Sequence, residues 1–284
     1  MLNFPSRYNT DWMSTLSDQT SLAHLTVPGT HNTMAHYGGD MAECQHWLLY
    51  SQLQAGIRFL DIRCRHYRNG LPIHHGIKYQ HADFPMVLRE IVRFLIDYPT
   101  ETIIMRIKKE FQSAENNRPF EETFQASIQQ YIKDGRIWSC FSSIPILGDI
   151  RGKIVILQDF RGSAYGLDYN GDMFSIEDHW KVPTILDLHI GHKWQHVKRK
   201  LDTSGEDEGS SVIYITYTSG TSFWAWPKAV ANRLNPRLQE YLQGKKPKKR
   251  FGIICMDFPT ITLIESIIHC NFQSELNSQP TCTK

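Results

Sequence analysis

The sequence predicts an α/β protein whose strands close into a TIM-like (β/α) barrel, irregular or incomplete, with residues 1–284 forming one domain. Two observations carry this prediction. Apolar, β-branched runs alternate along the chain with runs of helical periodicity, the pattern of a largely parallel sheet. In addition, His31, Asp61 with Arg63, His75, Lys108, Asp159 and Asp257 each fall at or just after the C-terminal end of an apolar run. An open sheet would spread those residues along an edge, whereas a barrel gathers them at one mouth.

Taken in order, Leu22 to Val27 reads as a strand broken by Pro28 and Gly29, with a turn that presents His31 and Asn32. A helix is expected from Met41 to Leu53. The stretch GIRFLDIRCRHYRNGLPIHHG, Gly56 to Gly76, begins as a buried strand and ends in a second short apolar segment carrying His74 and His75. Val87, Leu88, Ile91, Val92 and Leu95 recur at helical spacing in Met86–Tyr98, and Pro99 stops that helix. Thr102–Ile107 is a strand with Lys108 at its end, Phe120–Lys133 a helix, and Lys153–Leu157 a buried strand leading to Asp159. Residues Gly162 to Gly209 read as irregular and polar, with Asp178, His179 and Trp180 in their middle. A strand ending near Thr218, a helix from Lys228 to Gln243 kinked or divided at Pro236, a strand ending in Asp257 and a helix from Leu263 to about Asn271 complete the chain. Only about six strands are legible in this way.

Composition narrows the function. The hydrophobic fraction is 41%, ample for a large core. A net charge of +2 argues against nucleic-acid binding, which needs a strongly basic face. The six cysteines show no C-x-x-C spacing, which speaks against a zinc or redox motif. The start MLNFPSRYNTDW lacks the pattern of a signal peptide, and no run nears the roughly 20 apolar residues of a spanning helix. The expectation is a monomer of the cytoplasm with peripheral membrane contact, or one exported by an unconventional route.

Asp61 and Arg63 stand inside a strand that is otherwise apolar, and buried charges there must be paired. An arginine, a carboxylate and a histidine delivered to one place suit chemistry that moves negative charge and protons at phosphorus. With these residues stand the motifs PGTHNT (28–33), GIRFLDIRCR (56–65), IHHG (73–76), ETIIMRIKKE (101–110), RGKIVIL (151–157), IEDHWKV (176–182), ITYTSGTSFWAWP (215–227) and IICMDFP (253–259). In kind and order the chain resembles the bacterial-type phosphatidylinositol-specific phospholipases C. That resemblance implies a distorted TIM barrel and metal-independent, cofactor-free cleavage of phosphatidylinositol to diacylglycerol and inositol 1,2-cyclic phosphate. Glycosylphosphatidylinositol anchors are further candidate substrates.

The resemblance also implies roles. His31 matches the general base, Asp257 the carboxylate that orients it, and His75 the general acid. Arg63 matches the phosphate ligand, with Asp61 positioning it. Lys108, Asp178 and Trp180 match residues that hold the inositol ring. Trp47, Phe223, Trp224 and Trp226 fall where the family carries interfacial aromatics, a placement suited to rings with an apolar body and a polar edge. The run KKPKKR, Lys245 to Arg250, could add about 1 kcal/mol of attraction per basic residue near anionic lipid, but such runs also form solvated loops.

Two positions depart from the family pattern. Asn32 replaces an aspartate that supports the acid, so Asn32 is expected to hold His75 by a hydrogen bond without stabilising its charge. The consequence would be a weaker acid, or an acid limb at lower pH. Asp159 replaces an arginine that contacts inositol. Calcium-dependent eukaryotic relatives carry asparagine at position 32, but Arg63 and Lys108 occupy places of their metal carboxylates and should repel calcium. Two other readings stay open: an inositol-lipid-binding pseudoenzyme, and a metal-dependent glycerophosphodiesterase-like or sphingomyelinase-like barrel.

Overall fold

The computed structural model describes residues 4–207, 209, 211–244 and 250–272. The chain forms β1 (Val27–Thr30), α1 (Leu49–Ala55), β2 (Phe59–Cys64), β3 (Pro72–His75), β4 (Lys78–Asp83), α2 (Phe84–Asp97), β5 (Ile103–Lys109), α3 (Phe120–Lys133) and α4 (Leu147–Ile150). There follow β6 (Ile154–Asp159), β7 (Leu167–Asp168), β8 (Phe174–Glu177), α5 (Asp187–Glu206), β9 (Ile213–Tyr217), α6 (Pro227–Gln243), β10 (Ile253–Met256) and α7 (Ile261–His269). Strands pair in the order β7-β6-β5-β2-β1-β10-β9-β8, every neighbour parallel, while β3 and β4 form an antiparallel hairpin against β2.

The two edge strands of this path, β7 and β8, follow each other in sequence, so the sheet must curl until its edges come near. No β7–β8 ladder forms among the described residues, and the result is an incomplete barrel. Contacts across the interior show the curl: Arg106 on β5 donates to the Tyr217 hydroxyl on β9 at 3.0 Å. Because side chains alternate along a strand, Phe59, Asp61 and Arg63 share one face of β2.

Several elements differ from the sequence expectation. The first strand starts at Val27 and includes Pro28 and Gly29, while Leu22–His24 is a 3-10 turn. Gly29 is needed because a Cβ there would come within 2.7 Å of the Phe59 ring on the neighbouring strand. The helix expected from Met41 is only α1, and the turns before it bring Gln45 under the ends of β1 and β10. The Gly162–Gly209 segment is not irregular, for it holds β7, β8 and the 20-residue α5. The buried positions of α5 (Ile190, Lys193, Val197, Leu201, Ser204, Gly205) keep helical spacing, but half of them are not apolar, which hides the period. Helix α6 runs undivided through Pro236. Beside that proline the buried Asn235 amide donates to the carbonyls of Asp257 and Phe258, anchoring the helix to the end of β10.

At the end of the barrel away from these strand termini, Arg58 is fully buried. Its guanidinium donates to Glu101 at 2.8 Å and to the carbonyls of Asn9, Thr10, Leu53 and Ile57, and lies 4.7 Å from the Phe94 ring centre. Removing one member of a buried ion pair leaves the other charge unpaired. Arg58→Ala is therefore expected to lower unfolding free energy by about 3–5 kcal/mol, read from urea denaturation. Arg58→Ala and Glu101→Gln combined should cost less than the sum of the two single changes.

Candidate active site

Strand register assembles the mouth. Thr30 pairs with Met256 and Leu60, so one step further His31 stands between Asp257 and Asp61. The His31 backbone N–H donates to the Met256 carbonyl, and the Gln45 amide clamps the His31 and Met256 carbonyls together. The His31 Nδ1–H donates to Asp257 Oδ1 at 2.8 Å, and Asp257 is buried. That bond fixes the tautomer and leaves the proton-accepting lone pair on Nε2, which faces the Asn32 amide. Tyr217 packs edge-on to the imidazole at 6.0 Å.

Asp61 is the centre of a buried charge network. Its Oδ2 accepts from Arg63 Nε and Nη2 (3.1 and 2.9 Å) and from the Asn32 backbone N–H (3.1 Å). Its Oδ1 accepts from Arg106 Nη1 at 3.2 Å. Burial works against the carboxylate charge, yet Arg63 and Arg106 outweigh that cost and hold it well below the usual carboxylate range. Glu110 stands 3.8 Å from Arg63 Nη1 and 4.0 Å from Lys108 Nζ, and accepts from the backbone N–H of Gly76. Lys108, beside Arg63 in register, has its pKa lowered by burial and then by Arg63 and Arg106.

His75 ends β3 at this mouth. Its Nδ1–H donates to the Ala42 carbonyl at 2.8 Å, leaving Nε2 for proton exchange. Asn32 does not hold His75, contrary to the sequence expectation. Its backbone adopts φ +43°, a left-handed conformation asparagine tolerates, and its amide donates to His31 Nε2 at 3.3 Å and faces Cys44 Sγ at 4.0 Å. Cys44 is buried beneath the pair, and burial followed by the Asp257 charge pushes its thiol well up, so it is a poor nucleophile.

The residues expected to hold a ring are placed unequally. Asp159 is not a free ligand: Oδ2 accepts from Arg106 Nε and Nη2 (3.1 and 2.6 Å), and Oδ1 from the Asn170 amide. The guanidinium in this quarter comes instead from Arg106 on β5, stacked 4.3 Å from the Tyr169 ring centre. Asp178 and Trp180 are exposed on the loop after β8, with no hydrogen bond joining their side chains to the His31–Arg63 group among the described residues. Asp178 acts through its field on Lys193, a buried α5 side chain that donates to the Tyr217 carbonyl at 2.7 Å. Burial brings that ammonium down to about 8.

Phe223, Trp224 and Trp226 are exposed, at 66, 72 and 42%. The Trp224 segment pairs with Thr184, whose neighbours Leu186 and Leu188 are also exposed, so one apolar rim spans both loops. Trp47 is not part of such a surface, since it packs half-buried against the core and its carbonyl is tied to Gln52. Lys245–Lys249 lie outside the described residues, and Arg250 is buried rather than solvated. Five cysteines are free thiols, and Cys282 lies outside the described residues.

Sequence reasoning missed Arg106, Tyr217, Gln45 and Glu110. Arg106 carried a signal, since it is a charge amid the apolar run IIMRI, the same anomaly that marked Asp61. Gln45 and Tyr217 carried none, because a glutamine in a loop and a tyrosine in a strand are ordinary.

Comparison with known proteins places this geometry. Residues 19–159 match the model of the phosphatidylinositol-specific phospholipase C X domain. The chain is 31% identical over 281 residues to the 1-phosphatidylinositol phosphodiesterase of Listeria monocytogenes, covering 92% of this chain and 84% of that protein. The solved phosphatidylinositol-specific phospholipase C from the same organism superposes with a TM-score of 0.78 at 30% identity, covering 93% of this chain and 99% of that one. A Staphylococcus aureus phosphatidylinositol-specific phospholipase C, solved in work on modulation of its membrane binding, shares the fold with a TM-score of 0.80 at 22% identity, over 93% of this chain and 98% of its own.

The surroundings of His75 set its titration. Burial and the nearby His31 and Arg63 disfavour the imidazolium, and the Ala42 and Glu110 contributions only partly offset them. The His75 ring is expected to lose its proton as pH rises through a midpoint below the ordinary 6.5. Histidine NMR titration, with His75→Gln to assign the resonance, reads that midpoint directly.

Proposed function

The chain belongs to the phosphatidylinositol-specific phospholipase C family, and from that premise we propose that it cleaves phosphatidylinositol to diacylglycerol and inositol 1,2-cyclic phosphate. The observation that supports this best is the pairing of His31 with Asp257 at 2.8 Å directly beside the Asp61–Arg63 pair. In this reading His31 Nε2 takes the proton of the inositol 2-hydroxyl, and the resulting oxygen attacks phosphorus within the same molecule. An intramolecular nucleophile avoids most of the entropy cost of bringing two reactants together.

Asp257 stabilises the imidazolium that His31 becomes, the division of labour familiar from Ser-His-Asp sites. Arg63 meets the phosphate oxygens as charge grows on them, and Asp61 holds its fork in place. His75 Nε2 gives its proton to the departing glycerol oxygen. Arg106 and Lys108 raise the positive potential of the mouth, which favours an anionic substrate and disfavours a resident calcium ion. Asp178 and Trp180 flank the ring from the loop after β8.

Release of inositol 1,2-cyclic phosphate from phosphatidylinositol vesicles tests the reading. Cleavage is expected to persist in EDTA and to fall at least about 1,000-fold in His31→Ala, the loss expected for a general base. Because the acid must be protonated, kcat/KM should decline on the alkaline side through the low His75 midpoint. No release from vesicles that the protein still binds would instead mark a lipid-binding relic.

The rim formed by Phe223, Trp224, Leu186 and Leu188 supports contact with the bilayer that carries the substrate. Phe223→Ala with Trp224→Ala is expected to weaken vesicle binding by on the order of 10- to 100-fold, from about 1.5–3 kcal/mol of lost apolar burial. Cleavage of vesicle lipid should fall far more than hydrolysis of soluble cyclic phosphate, and equal losses would overturn the assignment of the rim.

A further inference from the structure

Outside the mouth, three histidines meet on the flank of the barrel. His192 and His196 lie one turn apart on α5, so both project from one face of the helix. His179, on the loop after β8, stacks on His196 with ring centres 4.4 Å apart, and His192 meets both rings edge-on at 5.4 and 4.8 Å. One nitrogen from each ring lies within 4.8 Å of the others. Nothing in the proposed cleavage uses them.

We propose that His179, His192 and His196 form a site for a divalent transition ion of the zinc type. Neutral imidazole suits such ions, and three histidines leave one position for water or an anion. Ligand nitrogens about 3.3 Å apart surround a tetrahedral ion with bonds of 2.0–2.1 Å, so the nitrogens draw together by up to about 1.5 Å and the His179 ring, stacked parallel to His196, turns to aim its lone pair at the ion. Rotation of the exposed His192 and half-buried His179 side chains supplies that movement.

Glu177 completes the arrangement. Its Oε2 stands 3.8 Å from His196 Nδ1, and its Oε1 accepts from the His179 backbone N–H at 2.8 Å. At that distance the carboxylate sets a negative charge beside the His196 ring, which favours a cation in the cluster. The exposed His192 gives the ion a path in from solvent.

The site also has a structural consequence. His179 lies between Asp178 and Trp180, so a bound ion ties their loop to α5. That loop is otherwise held by the Glu177 contact and by pairing of Trp180 and Lys181 with Thr221. The effect on ring recognition rests on the proposed function of the mouth, whereas ion binding does not.

The test is calorimetric titration of Zn²⁺ into the full chain, stripped of metal, free of any histidine tag and without lipid. One ion per chain is expected at micromolar or tighter affinity, weakened on the order of 100-fold in His192→Ala/His196→Ala. The single variant His192→Ala, which alters an exposed side chain, should lose on the order of 10-fold with the unfolding temperature in EDTA unchanged. Zn²⁺ should raise the unfolding temperature of the native chain and not that of the double variant. Equal affinity in native and variant chains, which would put the ion elsewhere, or no binding below about 100 μM, overturns the proposal.

Discussion

One buried carboxylate, Asp61, bonds two guanidiniums at once, and the layout of the mouth depends on that bridge. Arg63 and Arg106 project from neighbouring strands into the same interior, where their repulsion would be weakly screened. Asp61 takes one on each oxygen, and its second oxygen also accepts the Asn32 backbone N–H. The carboxylate therefore aims Arg63, restrains Arg106 and holds the left-handed turn that follows His31. Asp159 takes the remaining face of Arg106, so the network is compensated pair by pair.

This balance bears on the two histidines of the mouth, His31 and His75. His31 has the buried Asp257 carboxylate against its Nδ1 at 2.8 Å. His75 has only a carbonyl for a direct partner, with Arg63 and His31 nearby, so its charge is opposed. In the proposed cleavage that opposition falls on the acid, which must carry its proton into the reaction, and it confines activity to the acidic side of the His75 midpoint. The asparagine at position 32 contributes by what it lacks, since its amide turns to His31 and leaves His75 without carboxylate support.

The outer parts of the mouth follow different physics. Loops after β8 and β9 carry exposed aromatics and leucines that a water-facing surface has no reason to retain, and they pair with each other through Thr184 and Trp224. Their position beyond the C-terminal ends of the strands turns them toward whatever the mouth approaches. Behind them α5 packs a buried lysine and presents His192 and His196 to His179, so the same helix supports the barrel wall and faces the loop that carries Trp180.

Much of the fold was legible in the sequence because its strands and amphipathic helices bury one chemically uniform face. Phe120–Lys133 has the same limits in both views, and β2, β5, β6, β9 and β10 lie where apolar runs place them. The segment containing α5 was illegible because Lys193, Ser204 and Gly205 occupy core positions that a hydrophobic pattern would give to apolar residues. Lys193 is tolerated there only because Tyr217 offers a carbonyl and Asp178 and Glu177 offer charge, and none of these is near in sequence. The sequence by itself determined the barrel class and the charged residues at strand ends, since charge inside an apolar run demands a purpose. Only the tertiary structure decided the pairings, with Asn32 against His31 rather than His75, Asp159 against Arg106, and Trp47 half-buried against the core. Strand register and backbone dihedrals set which side chains meet, and those are properties of the assembled sheet.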